Sequence, residues 1–262
     1  MKISAVIITK NEEKMIEDCL KSLTWVDEIV VIDGGSKDRT VEIAKKYKAR
    51  IIEHVTDNYS DQRNYGLKEA LGSWVFYIDA DERVAPELRD EVLGISNFPA
   101  RPAGGQFSIS NSAYAIPRRN MIFGKEFKHG GQWPDYVKRL FKKSELVKWG
   151  GELHEEPVFK GNLGHLKNSL RHIKHENLAE MVEKTNRWSE IEAKLMFNAH
   201  HPPMNIIRFM TAMMREFWLR MVKQTAFLDG PEGIIYGIYQ VFSRFISYAK
   251  LWEMQLNARS NI

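Results

Sequence analysis

Apolar runs and polar turns alternate regularly along the first third of the chain. The run ISAVIIT (Ile3 to Thr9), rich in β-branched residues and followed by the polar turn KNEE, reads as a strand buried on both faces, the kind found in parallel sheets. EKMIEDCLKSLTW follows with Met15, Ile16, Cys19, Leu20 and Leu23 at helical spacing. VDEIVVIDGGSKDRT then repeats the order of apolar strand, polar turn and helix start, with Ser36 placed to cap the helix. The pattern continues through the helix TVEIAKKYK, the strand ARIIEHV, the helix DQRNYGLKEALGS and the strand WVFYID. Alternation of this kind predicts an α/β fold, a doubly wound, mostly parallel sheet with flanking helices, whose ligands sit at the carboxyl ends of the strands. The polar residues after Thr9, Ile32, Val55 and Ile78 then line one rim.

Beyond Pro99 the repetition stops. PARPAGG reads as a loop or linker, QFSISNSAYAI alternates as an extended strand does, and the stretch to 176 carries short strands and loops rich in Gly, Trp and His, suited to shaping an acceptor pocket. From 177 the pattern returns to helix. In MNIIRFMTAMMREFWLRMVK, Ile206, Met210, Met213, Met214, Phe217 and Met221 share one face, with Arg208 and Arg215 opposite. A second apolar helix, GIIYGIYQVFSRFISYAKLWEMQL, follows a Gly-Pro break, so the expected divisions are 1–105, 106–176 and 177–262.

Composition narrows the class. At 262 residues and 44% hydrophobic, the chain can bury one sizeable core with a smaller appended piece. The single cysteine, Cys19, excludes a disulfide framework and a cysteine-ligated metal, in keeping with a reducing cytoplasm. The first apolar run is too short for a signal-peptide core, and charges at Arg208, Arg215, Glu216, Arg220 and Lys223, and at Arg244 and Lys250, interrupt the tail helices before they reach membrane-spanning length. The net charge of +4 has its positive excess after residue 100, and no nucleic-acid partner is expected.

The stretch WVFYIDADERV ends an apolar run in the carboxylates Asp79, Asp81 and Glu82. In extended chain Asp79 and Asp81 point to one side while Ala80 packs away. Two hard oxygen ligands suit Mg²⁺ or Mn²⁺, with positions left for water and phosphate oxygens, although acids after a strand also serve as helix caps. The company favours a metal-diphosphate site: Asp33 lies on the same rim, and Arg63 and Asn64 come shortly ahead in SDQRNYG.

Through VIITKNEE, VVIDGGSKDRT, DQRNYGLKEALGSWVFYIDADE and the later RLF (Arg139 to Phe141), the sequence resembles the family 2 glycosyltransferases of the GT-A fold, and among them bacterial lipopolysaccharide-core and surface-polysaccharide sugar transferases. The likeness covers roughly residues 1 to 160. It implies that Asp33 contacts the nucleoside with Thr9 and Glu12 nearby, that Arg63 and Asn64 approach the diphosphate, that Asp81 holds the metal, and that Asp79 serves the ribose or the metal. The second acid of the family's common DDGS turn is Gly34 here, which weakens the reading of the nucleotide's identity.

Inverting sugar transfer also needs a carboxylate to take the acceptor's proton. Candidates are Glu152, His154, Glu155 and Glu156 in GGELHEEP, and Asp135 in QWPDYVKRLF. The resemblance places a His-Glu pair after RLF, which selects Glu155 supported by His154, with Asp135 in reserve. Trp133 and Trp149 suit either sugar stacking or the core. His165, His172 and His175 lack the spacing of a metal site and read as surface or packing residues. The tail helices, with flanking arginines and Trp218 and Trp252, suit a bilayer interface, packing on the catalytic domain or a dimer seam. The implied protein is a metal-dependent hexosyltransferase that uses a nucleotide-sugar, a UDP-sugar first of all. Its acceptor is a lipopolysaccharide-core or lipid-linked glycan at the inner face of the cytoplasmic membrane. Competing readings are a nucleotide-sugar-binding scaffold and an aspartyl-nucleophile phosphohydrolase, although Arg83 stands where the latter expects Thr or Val.

Overall fold

Strand β1 (Ile3–Thr9) is buried along its whole length, and its residues divide by parity between two cores. Ile3, Ala5 and Ile7 pack with Ile16, Cys19 and Leu20, whereas Val6 and Ile8 pack with Val30, Ile32, Val75 and Tyr77. A strand sandwiched in this way needs apolar side chains on both faces, which is why its alternation is invisible in the sequence. The computed structural model that shows this describes residues 2–97, 111–151, 155–175 and 177–260.

Two compact units divide the chain: Met1–Arg118 with Asp135–His172, and Arg119–Pro134 with Ile173–Ile262. The segment 119–134, which the sequence groups with the acceptor part, thus belongs with the helical tail.

In the first unit, β1 pairs in parallel with β2 (Glu28–Asp33) and β4 (Trp74–Asp79), and β2 with β3 (Arg50–Glu53). The intervening helices are α1 (Ile16–Lys21), α2 (Thr40–Lys46) and α3 (Tyr59–Glu69), with β5 (Glu82–Val84) and α4 (Pro86–Asn97) after β4. Asn58 caps α3 by accepting from the Asp61 N–H, and Gly66 lets α3 approach β1 closely, since a Cβ there would stand 2.4 Å from Val6 Cγ1.

The sheet continues through β6 (Ala113–Ile122), β8 (Asp135–Lys142) and β12 (Leu170–His175) in the order β3-β2-β1-β4-β8-β6-β12-β5. Strand β7 (Lys125–Glu126) and β11 (Leu163–His165) pair with β6, and β9 (Leu146–Gly150) with β10 (Glu156–Phe159) forms a separate ribbon. Because β8 runs antiparallel to β4, with Phe76 opposite Leu140, its early residues lie beside the carboxyl end of β4. The linker and part of the strand expected over 99–110 lie outside the described residues.

In the second unit, α5 (Leu178–Asn198) packs on α7 (Pro231–Ser260), and α6 (Ile206–Phe217) continues as a π-helical turn over Trp218–Lys223, then a 3-10 turn over Ala226–Asp229. Phe127, Ile122, Met181, Tyr236 and Tyr239 form its core. The buried Asp229 carboxylate accepts from the backbone N–H groups of Lys128 (3.1 Å) and His129 (2.8 Å) and pairs with His129 Nδ1 at 2.9 Å, pinning the 3-10 turn. No helix among the described residues is long and apolar enough to cross a membrane.

Candidate active site

The register aligns Thr9 with Asp33, Asp33 with Glu53, and Ile8 with Asp79, so the carboxyl ends of four parallel strands share one rim. The turns leaving β1 and β2 are laced together. Ser36 Oγ accepts from the Asn11 N–H at 2.9 Å, Asn11 Oδ1 from the Lys37 N–H at 2.8 Å, and Thr40 Oγ1 from the Glu12 N–H at 2.8 Å. Ser36 therefore does not cap α2, which starts four residues later. Its hydroxyl donates instead to Asp33 Oδ1 at 2.5 Å.

Asp33 itself is buried, and its other oxygen accepts from the Gly35 and Ser36 N–H groups at 3.1 and 2.9 Å. Its carboxylate thereby builds the turn that leaves β2. Thr9 is buried beside it, and its hydroxyl makes no hydrogen bond among the described residues.

The acids of β4 enter a chain of ion pairs. Arg63, on α3 and only 3% exposed, lies with Nη2 2.9 Å from Asp79 Oδ1 and 3.1 Å from Glu155 Oε1, and its guanidinium carbon is 5.0 Å from the Trp149 ring centroid. The other Asp79 oxygen accepts from Arg139 Nη2, which is also 2.8 Å from Glu82 Oε1. Glu82, 0% exposed, has Arg118 Nη1 at 3.5 Å, and Arg118 in turn grips Asp135 through Nε at 3.0 Å and Nη2 at 2.7 Å. Glu155, Arg63, Asp79, Arg139, Glu82, Arg118 and Asp135 thus alternate in sign along one continuous run.

Burial opposes ionisation of Asp79, but Arg139, Arg63 and Arg118 outweigh it and hold the carboxyl well below its usual range. Burial likewise opposes charge on Arg139, and Asp79 and Glu82 reverse that effect. Buried charges persist here because each has an opposite neighbour.

The expected residues differ in what they contact. Both oxygens of Asp79 face guanidinium groups, whereas Asp81, partly exposed, has His172 Nε2 3.4 Å from its Oδ2. Asn64 lies on the same helix as Arg63, but its amide clamps the backbone of Trp149, donating to the carbonyl at 2.9 Å and accepting from the N–H at 2.7 Å. Glu12 lies at the β1–α1 turn. Trp149 is core, edge-on to Tyr77 and Phe141, while Trp133 is exposed in the second unit. Glu152 and His154 lie outside the described residues.

Among the described residues, no three His, Cys, Asp or Glu side chains form a ready metal cluster. One carboxylate and one imidazole, Asp81 and His172, fit a divalent cation of the kind whose remaining positions are completed by waters and substrate phosphates. Buried and otherwise unbonded, Arg63 Nη1 is a donor suited to an anion.

The run of ion pairs also takes in Glu82, Arg118 and Arg139, and His172, read from the sequence as a surface or packing residue, is buried beside Asp81. The available signal was Arg139, a charged residue inside the apolar strand KRLF, since a buried arginine requires acids around it.

Comparison with known proteins finds likeness along the chain. The family described as Glycosyl transferase family 2 matches residues 4–145. An uncharacterized glycosyltransferase of Rickettsia typhi is 30% identical over 275 residues, covering 100% of this chain and 90% of its own. The lipopolysaccharide core biosynthesis glycosyltransferase LpsC of Rhizobium meliloti is 26% identical over 278 residues, covering 99% of this chain and 96% of its own. Among solved structures, TarS residues 1–349 of S. aureus matches with a TM-score of 0.50 at 14% identity, over 100% of this chain and 92% of that one.

Proposed function

This chain belongs to glycosyltransferase family 2 and has the GT-A fold, and from that premise we propose that it is an inverting, metal-dependent hexosyltransferase that uses a UDP-sugar and a lipopolysaccharide-core or lipid-linked glycan acceptor. The observation that carries the reading is the run of ion pairs at the strand ends. It sets Asp79 rigidly, leaves Asp81 beside His172, and brings Glu155 within reach of the same arginine.

In this reading the nucleotide lies over the turns built by Asp33, with Thr9 and Glu12 beside it, and the diphosphate meets Arg63. Asp81 would hold Mg²⁺ or Mn²⁺, with the His172 imidazole better suited to Mn²⁺, and the ion would offset charge on the departing diphosphate. Asp79 acts by fixing Arg63 and Arg139. Glu155 accepts the acceptor hydroxyl's proton as its oxygen forms a bond to the anomeric carbon. The bond from that carbon to the diphosphate breaks with its electron pair leaving on the phosphate oxygen. His154 supports Glu155, and Asp135, which Arg118 pairs as Arg63 pairs Glu155, stays in reserve as the base. The acceptor class draws support from the likeness to LpsC, and a peripheral position on the inner face of the cytoplasmic membrane follows from such an acceptor.

The test is nucleoside-diphosphate release from UDP-, GDP- and other activated sugars, with Mn²⁺ or EDTA and with or without a bacterial lipid-glycan extract. Release from one donor that requires metal and extract, lost in Asp81→Ala, is the expected outcome. Glu155→Gln should abolish release but spare donor binding. Undiminished metal-dependent donor binding in Asp81→Ala overturns the metal assignment.

A further inference from the structure

The second unit carries an exposed surface that the transfer chemistry does not use. Along α6 and the π-helical turn, Ile206 (73% exposed), Ile207 (70%), Met214 (66%), Phe217, Trp218 and Val222 face solvent on one side. Met213, expected on this face, is half-buried, and Glu216 turns inward to accept from Arg220 Nε at 2.8 Å. With Glu216 buried, the exposed charged residues of the stretch, Arg208, Arg215 and Lys223, are all basic. Phe227 and Leu228 on the following 3-10 turn extend the exposed apolar surface.

Beside this stripe, Met213, Phe217, Ile238, Val241, Phe242 and Phe245 line a groove of about 490 Å³ between α6 and α7. An apolar patch of this extent marks an interaction surface, and a wholly basic flank selects an anionic partner. A second copy placed symmetrically on the same face would bring the basic residues of both copies into one seam. A bilayer meets both requirements at once, apolar below and anionic at the headgroups.

We propose that α6 lies in the interface of an anionic phospholipid bilayer. Ile206, Ile207, Met214, Phe217 and Trp218 enter the acyl boundary, Arg208, Arg215 and Lys223 meet headgroup phosphates, and the α6–α7 groove takes an acyl chain. This deepens the peripheral position proposed above and rests on that reading.

The experiment is flotation of the full chain with liposomes of phosphatidylglycerol and phosphatidylethanolamine, against phosphatidylcholine alone, at low and high salt. Binding is expected to the anionic liposomes only, to weaken with salt, and to shift Trp218 emission to the blue, a shift missing in Trp218→Phe. Reversing Arg208, Arg215 and Lys223 to Glu, remote from the site residues, should lower partitioning by about 100-fold or more. Ile207→Ser with Phe217→Ser tests insertion while leaving the charges in place, and circular dichroism checks that each variant folds. Equal binding to phosphatidylcholine, no binding by the folded wild type, or self-association that occupies the face instead would overturn the proposal. Nucleoside-diphosphate release with detergent-solubilised acceptor is read on the same preparations, so a failed transferase reading shows there and leaves the flotation result standing.

Discussion

Arg63 and Glu155, 92 positions apart in the chain, meet at 3.1 Å, and the same guanidinium nitrogen lies 2.9 Å from Asp79. One buried cation therefore holds both the strand-end acid and the proposed base. Removing it leaves two carboxylates close together without their shared counter-charge. Arg63→Met should lower stability by about 3–5 kcal/mol in urea unfolding. Arg63→Lys, which keeps the charge and loses the fork, should recover part of that loss. Unchanged stability in Arg63→Met would show that the pairing contributes nothing net.

Acid should weaken the fold through Asp79. Its carboxyl is held below the ordinary aspartate range in the folded chain, opposing its burial, by Arg139 and Arg63. The folded state thus binds this proton less readily than the unfolded one. The stabilisation is complete above the unfolded-state pKa, declines as pH falls below it, and is gone once the lowered folded-state value is passed. Urea midpoints measured from neutral pH downward should fall more steeply in wild type than in Asp79→Asn. Parallel profiles would remove Asp79 from the account.

Asn64 is expected to act on the base rather than on the donor. Its amide makes two hydrogen bonds to the Trp149 backbone on β9, and β9 leads directly into the segment that ends at Glu155. Asn64→Ala should lower stability by about 1–3 kcal/mol and reduce kcat, with the donor Kd from calorimetry unchanged. A large loss of donor affinity at unchanged stability would restore the diphosphate role that the family resemblance implies.

Gly66→Ala tests the packing that carries Arg63. The added Cβ would meet Val6 Cγ1 at 2.4 Å, inside a fully packed core. Displacement of α3 should cost about 1–3 kcal/mol, read as a lowered Tm, and should also reduce activity because Arg63 moves with the helix. A wild-type Tm would mean that the helix shifts freely over β1.

Much of the frame was legible in the sequence because its signals are local. Apolar runs of strand length, helical spacing and polar turns fall within windows of about ten residues, and β1, β2 and β4 follow them with Asp33, Asp79 and Asp81 near the rim. Ser36 was misread for a related reason. A serine before a helix resembles a cap, but Asp33, three residues earlier, claims its hydroxyl and leaves α2 to begin at Thr40. On α6 the spacing marked one apolar face, and the structure divides it, with Met213 turned into the groove beside α7 and Met214 left in solvent.

Element order, the burial of the strands and the presence of acids at their ends follow from side-chain period and turn chemistry, which neighbouring residues specify. Which charge faces which depends on pairing across the sheet. Strand β8 is antiparallel to β4, so Arg139 arrives beside Asp79 from 60 positions away. Likewise, β12 pairs with β5, so His172 comes to Asp81. No local window contains those encounters, and because a buried charge is tolerable only with its partner in place, the different surroundings of Asp79 and Asp81 exist only in the folded chain.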